Sequence, residues 1–221
     1  MSKSDSMMIN DNQIREFVKT SPDYYVKEFV RINNSTRYVF SFNWAAFLLG
    51  TLWFGIRNIW SWALAFLLIE TFAVVQIVRG FFGDISADAY KKIDQIQSTI
   101  DFRQKQLQAA VESNSDKVDV FKRTIKSLED SIAGYVQEAQ RIEEMGFWIA
   151  ITGIILWTTI RILQAALANM ILEKRFSEWL SDRSIRSGMR SVDIGLTVLF
   201  SSTVMLLSTV HYSFPNLIGL F

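Results

Sequence analysis

The feature that most constrains this chain is a charged block, residues 84–145, that lies between strongly apolar runs. Four of these runs have the length of a helix, at residues 40–56, 59–78, 146–172 and 191–211. A bilayer core of about 30 Å is crossed by about 20 apolar residues in a helix. The pattern therefore predicts an all-α integral membrane protein, a helical bundle of about four spanning helices with a water-facing insert.

Composition and charge exclude several classes of function. Half of the residues are hydrophobic and a fifth are charged, yet the formal net charge is only +1, so no nucleic-acid partner is expected. Cysteine is absent, which excludes disulfides, thiolate metal sites and cysteine nucleophiles. The single histidine, His211, ends the last apolar run and does not suggest a metal cluster or a catalytic triad. We therefore expect no enzyme activity and no cofactor.

Residues 1–39 are expected to form a polar tail followed by an amphipathic helix. Ser21 is expected to cap that helix, because Pro22 fits its first position. Apolar side chains then recur on one face at spacings of four and three, namely Tyr25, Phe29 and Ile32. Such a face is expected to lie either on the membrane surface or on the rest of the protein.

Residues 40–79 are expected to form a transmembrane hairpin of two helices, with a tight polar break at Arg57-Asn58. Two later positions carry a charge in the middle of an apolar run, Glu70 and Arg161. A charge at the bilayer centre costs about 3 kcal/mol or more, so such residues are usually paired. We predict that Glu70 and Arg161 form a buried pair that clamps two helices; a part in an ion or proton path is the alternative.

Residues 80–145 carry apolar side chains at alternating spacings of three and four, the pattern of a coiled-coil seam. The seam residues are Ile93, Ile96, Ile100, Leu107, Phe121, Ile125, Leu128, Ile132 and Tyr135. Turn-forming residues lie between the two halves, at 113–116. A single straight helix cannot return the chain to the membrane, whereas an antiparallel coiled-coil hairpin folded at Asn114 can. We therefore predict the hairpin.

The rest of the chain is divided into transmembrane helix 3 at 146–172, an interfacial or loop segment at 173–190, and transmembrane helix 4 with its tail at 191–221. Basic residues are frequent before the first span and within the insert, so the positive-inside rule places the N-terminus and the coiled coil in the cytoplasm. The expected location is a bacterial inner membrane, crossed several times. Four crossings place the basic residues of 173–190 outside, against the same rule.

A short signature resembles a known family. The residues that carry it are Phe42, Asn43, Trp44, Phe47, Gly50, Trp53 and Arg57. Together they resemble a bacterial membrane family known as domain of unknown function 2628. Ile56 and Asn58 replace the Tyr and Lys that are usual there, and Asn169 is similar to a later family asparagine. The family supplies no established activity, so the resemblance implies no catalytic residues.

A second and weaker likeness covers the two first apolar runs up to Asp84, which resemble N-terminal extensions of glycine betaine/proline-type ABC transporter permeases. This likeness implies a part in osmolyte import, as an accessory membrane subunit of an ABC transporter complex.

The leading functional hypothesis is a non-enzymatic inner-membrane scaffold or adaptor. Its hairpin is expected to meet another membrane or cytoplasmic protein, or a second copy of the chain, while the stem meets membrane lipid. The expected docking face carries Lys91, Lys92, Lys122 and Arg123. The alternatives are an accessory subunit of an osmolyte ABC importer and a small oligomeric channel with Glu70 in its path.

Overall fold

The computed structural model describes residues 11–214, and all regular secondary structure within that range is helical. The helices are α1 Asp11–Val18, α2 Pro22–Asn33, α3 Trp44–Leu49, α4 Thr51–Ile56, α5 Trp60–Phe82, α6 Ala87–Glu112, α7 Val118–Ser181 and α8 Ser191–Ser213. The all-helical prediction is confirmed. Three candidate spans, which include α5, part of α7 and α8, are long and apolar enough to cross a membrane.

The first apolar run does not form one helix. Gly50, with φ +56° and ψ −130°, divides it into α3 and α4, of six residues each. A six-residue helix rises only about 9 Å, far less than the thickness of a bilayer core. The expectation of about four spanning helices is therefore corrected to three within residues 11–214, because residues 40–56 supply none.

The chain divides into two compact units. Among the described residues, the first unit comprises 11–75 together with 153–210, and the second comprises 76–152 together with 211–214. Residues 1–10 of the expected polar tail, and 215–221 of the expected C-terminal tail, lie outside the described residues.

In the first unit, α1 and α2 pack on the last turns of α7. The rings of Phe17 and Phe29 each lie 5.4 Å from the ring of Phe176, and Phe17 also lies 5.4 Å from Trp179. Burying a phenylalanine fully contributes about 1.5–3 kcal/mol. The apolar face predicted for α2 is thus covered by protein at Tyr25 and Phe29, and Ile32 is half-buried. Ser21 has φ +49° and makes no side-chain cap, so that expectation is corrected.

The second unit contains α6 and the first part of α7, which lie side by side near their base. The Tyr90 hydroxyl donates to Glu143 Oε1 at 3.0 Å, and Lys92 Nζ lies 5.2 Å from the ring centre of Tyr135. Ser86 Oγ also donates to Glu143 Oε1, at 3.2 Å. Each of these contacts joins a residue near the start of α6 to a residue well after the start of α7.

The segment between α6 and α7 is a short turn. Helix α6 ends at Glu112 and α7 begins at Val118. Asn114 adopts φ +51°, a left-handed conformation that asparagine tolerates better than most residues. The Ser115 N–H donates to the Ala110 carbonyl at 2.9 Å, which supplies one of the carbonyls at the end of α6 with a donor.

At the base of the second unit, α5 and α7 approach at the level of the backbone. A Cβ added at Gly80 would lie 2.4 Å from the Gly146 carbonyl oxygen and 2.6 Å from the Ala150 nitrogen. Small residues permit such close crossings between helices in membranes. The two glycines therefore set the distance between the helices that enter and leave the charged block.

We expect Gly80→Ala to lower the free energy of unfolding by about 1–3 kcal/mol, because the added methyl group overpacks against backbone that has no free side chain to move. Gly134→Ala is the matched control: no atom lies within 4 Å of its Cβ position. Replacing that helical glycine is expected to stabilise by about 0.5–1 kcal/mol. Detergent-induced unfolding followed by tryptophan fluorescence measures both. Equal effects of the two changes would contradict the close crossing.

Candidate functional site

The break at Gly50 creates a polar site inside the apolar part of the first unit. The last carbonyls of α3 have no N–H partner within the helix, because the helix stops there. Arg161 Nη1 donates to the Leu48 carbonyl at 3.2 Å, with the Phe47 carbonyl at 3.5 Å. A Cβ at position 50 would lie 1.9 Å from that same nitrogen. Glycine is thus required both for its backbone conformation and for the space that Arg161 occupies.

Glu70 lies against this break and is only 1% exposed. Its Oε1 accepts hydrogen bonds from Gln164 Nε2 at 2.6 Å and from the Thr51 N–H at 3.3 Å. Arg161 Nε lies 3.5 Å from the same oxygen. The structure therefore brings the two mid-run charges together and adds an amide side chain and a backbone donor that the sequence did not reveal.

The arrangement meets most of the needs of a charge pair outside water, but Arg161 Nε and Gln164 Oε1 are buried without a hydrogen-bond partner in the described residues. A buried pair is tolerated only when its members are close and their remaining hydrogen-bonding groups are satisfied. Here the guanidinium also lies 5.0 Å from the ring centre of Trp157 and bridges a carboxylate to helix-end carbonyls. These contacts tie together α5, α7 and the break between α3 and α4, which is the geometry of a clamp.

A second polar cluster is built around Asn43. Its side-chain oxygen accepts from the Ala46 N–H at 3.0 Å and caps α3, while its Nδ2 donates to Asn169 Oδ1 at 2.7 Å. Its backbone N–H donates to the Ala165 carbonyl at 3.0 Å. Asn43 therefore fixes the start of α3 directly against α7.

Asn169 completes that cluster from the α7 side and is fully buried. Its Nδ2 donates to the Tyr24 hydroxyl at 2.6 Å and to Ser41 Oγ at 2.5 Å. Burial raises the pKa of the Tyr24 phenol, and the hydrogen bond from Asn169 partly opposes that shift. The two asparagines singled out by the resemblance are thus brought together across 126 positions of the chain.

Arg57 is a buried cation, only 3% exposed, whose hydrogen bonds go to neutral groups. Nη1 donates to the Val18 carbonyl at 2.6 Å, and Nη2 donates to Thr20 Oγ1 at 2.8 Å. The rings of Tyr25 and Trp53 lie 5.1 and 5.7 Å from its Cζ. Val18 ends α1, so the guanidinium meets the negative end of that helix dipole. Burial lowers the pKa of Arg57, and Tyr25 opposes this.

The other signature residues are aromatic or small. Phe42, Trp44 and Phe47 form a ring cluster with centroids 4.9–5.9 Å apart, and Trp44 is 69% exposed. Trp53 is buried, and its ring centre lies 5.0 Å from that of Phe54. The signature therefore builds the broken helix and its attachments to α1, α2 and α7.

These positions, with the sequence around them, match a known family. Residues 11–99 match the family model described as protein of unknown function (DUF2628). This segment, which is less than half of the chain, is similar to the DUF2628 family. The predicted resemblance is thereby confirmed, and it extends from α1 into the first half of α6. The comparisons with curated proteins and with solved structures found no match, and the likeness to ABC permeases is not supported.

The described residues contain no group of three or more His, Cys, Asp or Glu side chains placed to hold a metal ion. His211 is exposed and its ring contacts Tyr212 at 4.8 Å. What the broken-helix site offers chemically is a set of fixed charges and hydrogen bonds that join helices.

We expect Asn43→Ala to lower the free energy of unfolding by about 2–4 kcal/mol. About 1 kcal/mol reflects the lost helix cap, and about 1–3 kcal/mol reflects the Asn169 carbonyl left buried without its donor. Asn33→Ala, at an exposed position at the end of α2, is the control and should leave the unfolding midpoint unchanged. Identical midpoints for both variants would show that the Asn43–Asn169 bond carries no stability.

Proposed function

We propose that this protein is a non-enzymatic membrane scaffold or adaptor that presents residues 80–145 as an antiparallel coiled-coil hairpin. The hairpin docks a partner protein or a second copy of the chain. The rest of the protein is its membrane anchor, held rigid by the clamp of Glu70 and Arg161.

The observation that carries the proposal is the burial repeat along α6 and the first part of α7. All nine predicted seam residues are buried or half-buried, with Ile100 at 2% and Ile125 at 8% exposed. Side chains next to the seam face outward; Phe102, for example, is 57% exposed. Tyr90 contacts Glu143, and Lys92 contacts Tyr135. In a hairpin that folds at Asn114, facing residues lie about equally far along the chain before and after Asn114, and both contacts fit that pattern.

The number of spans bears on which face of the membrane carries the hairpin. With three spans in place of four, only two crossings, by α5 and α7, precede residues 173–190, so this segment returns to the starting side. In the first unit, Lys19 Nζ donates to the Gly188 carbonyl at 2.9 Å, which fits a location of both residues on the same side of the membrane. The basic residues of both segments then share one face, and the positive-inside rule assigns that face to the cytoplasm. From counting crossings along the chain we infer that residues 83–145 emerge on the opposite face of a bacterial inner membrane, which replaces the cytoplasmic location predicted from the sequence for the coiled coil.

Sidedness is tested with single cysteines, since the natural chain has none. Asn114→Cys should react with a membrane-impermeant maleimide in spheroplasts, whereas Asn33→Cys should react only after the membrane is permeabilised. Labelling of both positions in intact spheroplasts, or of neither, would overturn the assignment to opposite faces.

Scaffolding is tested by photo-crosslinking of the full-length protein in native membranes. A photoreactive phenylalanine at Phe102 or at Lys122 should give a discrete protein adduct. The control is Phe72 in α5, which is 56% exposed and should give lipid adducts only. Co-expression of two differently tagged copies separates self-assembly from a second protein. If Phe102 and Lys122 yield no protein adduct beyond that of Phe72, the proposal is wrong.

A further inference from the structure

The first unit contains a basic cavity at the level where its apolar helices meet the chain's polar segments. Its volume is about 420 Å³, and it lies between the first turn of α5 and the end of the apolar run of α7. The polar lining is supplied by Asn58, Ser61, Lys174, Arg175 and Glu178. Two cations and one carboxylate leave the lining with an excess of positive charge.

The guanidinium of Arg175 has unused donor capacity. Its Nη1 donates to Glu178 Oε2 at 3.2 Å, but its Nε is buried and has no hydrogen-bond partner within residues 11–214. A buried donor without a partner costs free energy, and an anionic oxygen is the acceptor that a guanidinium matches best. Lys174, the next residue, adds a second cation to the same lining.

The apolar part of the lining indicates what kind of anion fits. Trp60, Trp62, Ile59 and Ile171 form the remaining wall. Tryptophan is enriched at the boundary between headgroups and hydrocarbon, and basic pockets between spanning helices bind anionic lipid headgroups. A small free anion would leave the indole and isoleucine surfaces uncovered, whereas a phospholipid covers them with its glycerol and acyl parts.

We propose that this cavity binds the phosphate headgroup of an acidic phospholipid from the surrounding membrane. Lys174 and Arg175 hold the phosphodiester, the hydroxyl of Ser61 and the amide of Asn58 add neutral donors, and Trp60 and Trp62 contact the glycerol region. Glu178 holds Arg175 in place and limits the positive charge of the cavity. The site is independent of the hairpin and of its partner.

The test uses native mass spectrometry of the full-length protein, purified in detergent and mixed with phosphatidylglycerol or phosphatidylcholine. The wild-type protein should retain one phosphatidylglycerol and no phosphatidylcholine. The double variant Lys174→Gln/Arg175→Gln should lose affinity for phosphatidylglycerol by about thirty-fold, at about five-fold for each charge near the membrane surface. The control, Lys27→Gln/Arg186→Gln, removes the same charge from exposed positions outside the cavity and should bind like wild type.

Glu178→Gln should change the affinity in the opposite direction to the double variant. A gain in affinity cannot result from misfolding, so this variant keeps the test valid if the double variant misfolds. Removing the carboxylate should raise the affinity for phosphatidylglycerol by about five-fold. Equal losses in the cavity variant and its control, equal retention of the two lipids, or no gain in Glu178→Gln would each overturn the proposal. Inorganic phosphate at millimolar concentration should not displace the lipid; displacement would show that the site takes a free anion instead.

Discussion

Glu70→Gln is expected to lower the free energy of unfolding by about 3–5 kcal/mol. The change keeps the size of the side chain but removes the only carboxylate that Arg161 contacts in the described part of the chain. The Arg161 side chain is only 12% exposed, and a largely buried guanidinium that loses its partner is strongly destabilising. Detergent-induced unfolding in mixed micelles, followed by tryptophan fluorescence, measures the loss. Asp23→Asn, which breaks an exposed pair with Arg15, is the matched control and should leave the midpoint unchanged.

The same prediction has a stricter form in a double-mutant cycle with Arg161→Leu. If the two side chains interact, the double variant should lose less free energy of unfolding than the two single variants lose together. The difference, which is the coupling energy, should be at least about 1 kcal/mol. Additive losses would mean that the 3.5 Å separation of Arg161 Nε and Glu70 Oε1 carries no coupling and that each residue serves a separate purpose.

Gly50→Ala, the second large effect, is expected to lower the free energy of unfolding by about 2–6 kcal/mol. About 1–3 kcal/mol comes from forcing an L-residue into φ +56° and ψ −130°, and a further 1–3 kcal/mol comes from overpacking against Arg161 and Glu70. Gly195→Ala is the control in the same unit, since no atom lies within 4 Å of its Cβ position. The same unfolding assay applies. If Gly50→Ala behaves like Gly195→Ala, residues 40–56 do not break at this glycine.

Hydropathy and spacing predicted much of the secondary structure. The last apolar run, predicted at 191–211, corresponds to α8 at Ser191–Ser213, and the second, at 59–78, corresponds to α5 at Trp60–Phe82 except for its first residue. The break in the first apolar run was not predicted, because hydropathy depends on the average composition of a segment and carries no information about the backbone conformation of a single glycine. Gly50 lies inside that run and has a positive φ, a conformation that glycine adopts more readily than other residues.

The site was predictable only in part. A charge in the middle of an apolar run demands a partner, so Glu70 and Arg161 stood out from the sequence alone. Gln164 and Thr51 did not stand out, because a neutral polar residue in an apolar run costs much less free energy than a charge does. They also lie 94 and 19 residues from Glu70 along the chain, so no local pattern links them to it. Arg57 was taken for a turn residue, and its burial against Tyr25 and the end of α1 depends on tertiary packing that no local pattern records.

Engineered disulfides measure most directly whether the two arms of residues 80–145 pair with each other. A disulfide forms only when the two Cα atoms lie within about 7 Å. Mild oxidation of Ile100→Cys/Leu128→Cys should give an intramolecular bridge in the full-length protein. The control pair, Ile100→Cys/Phe121→Cys, is displaced by seven residues, about 10 Å along the helix, and should not bridge. Absence of the first bridge, or equal formation of both, would contradict the hairpin.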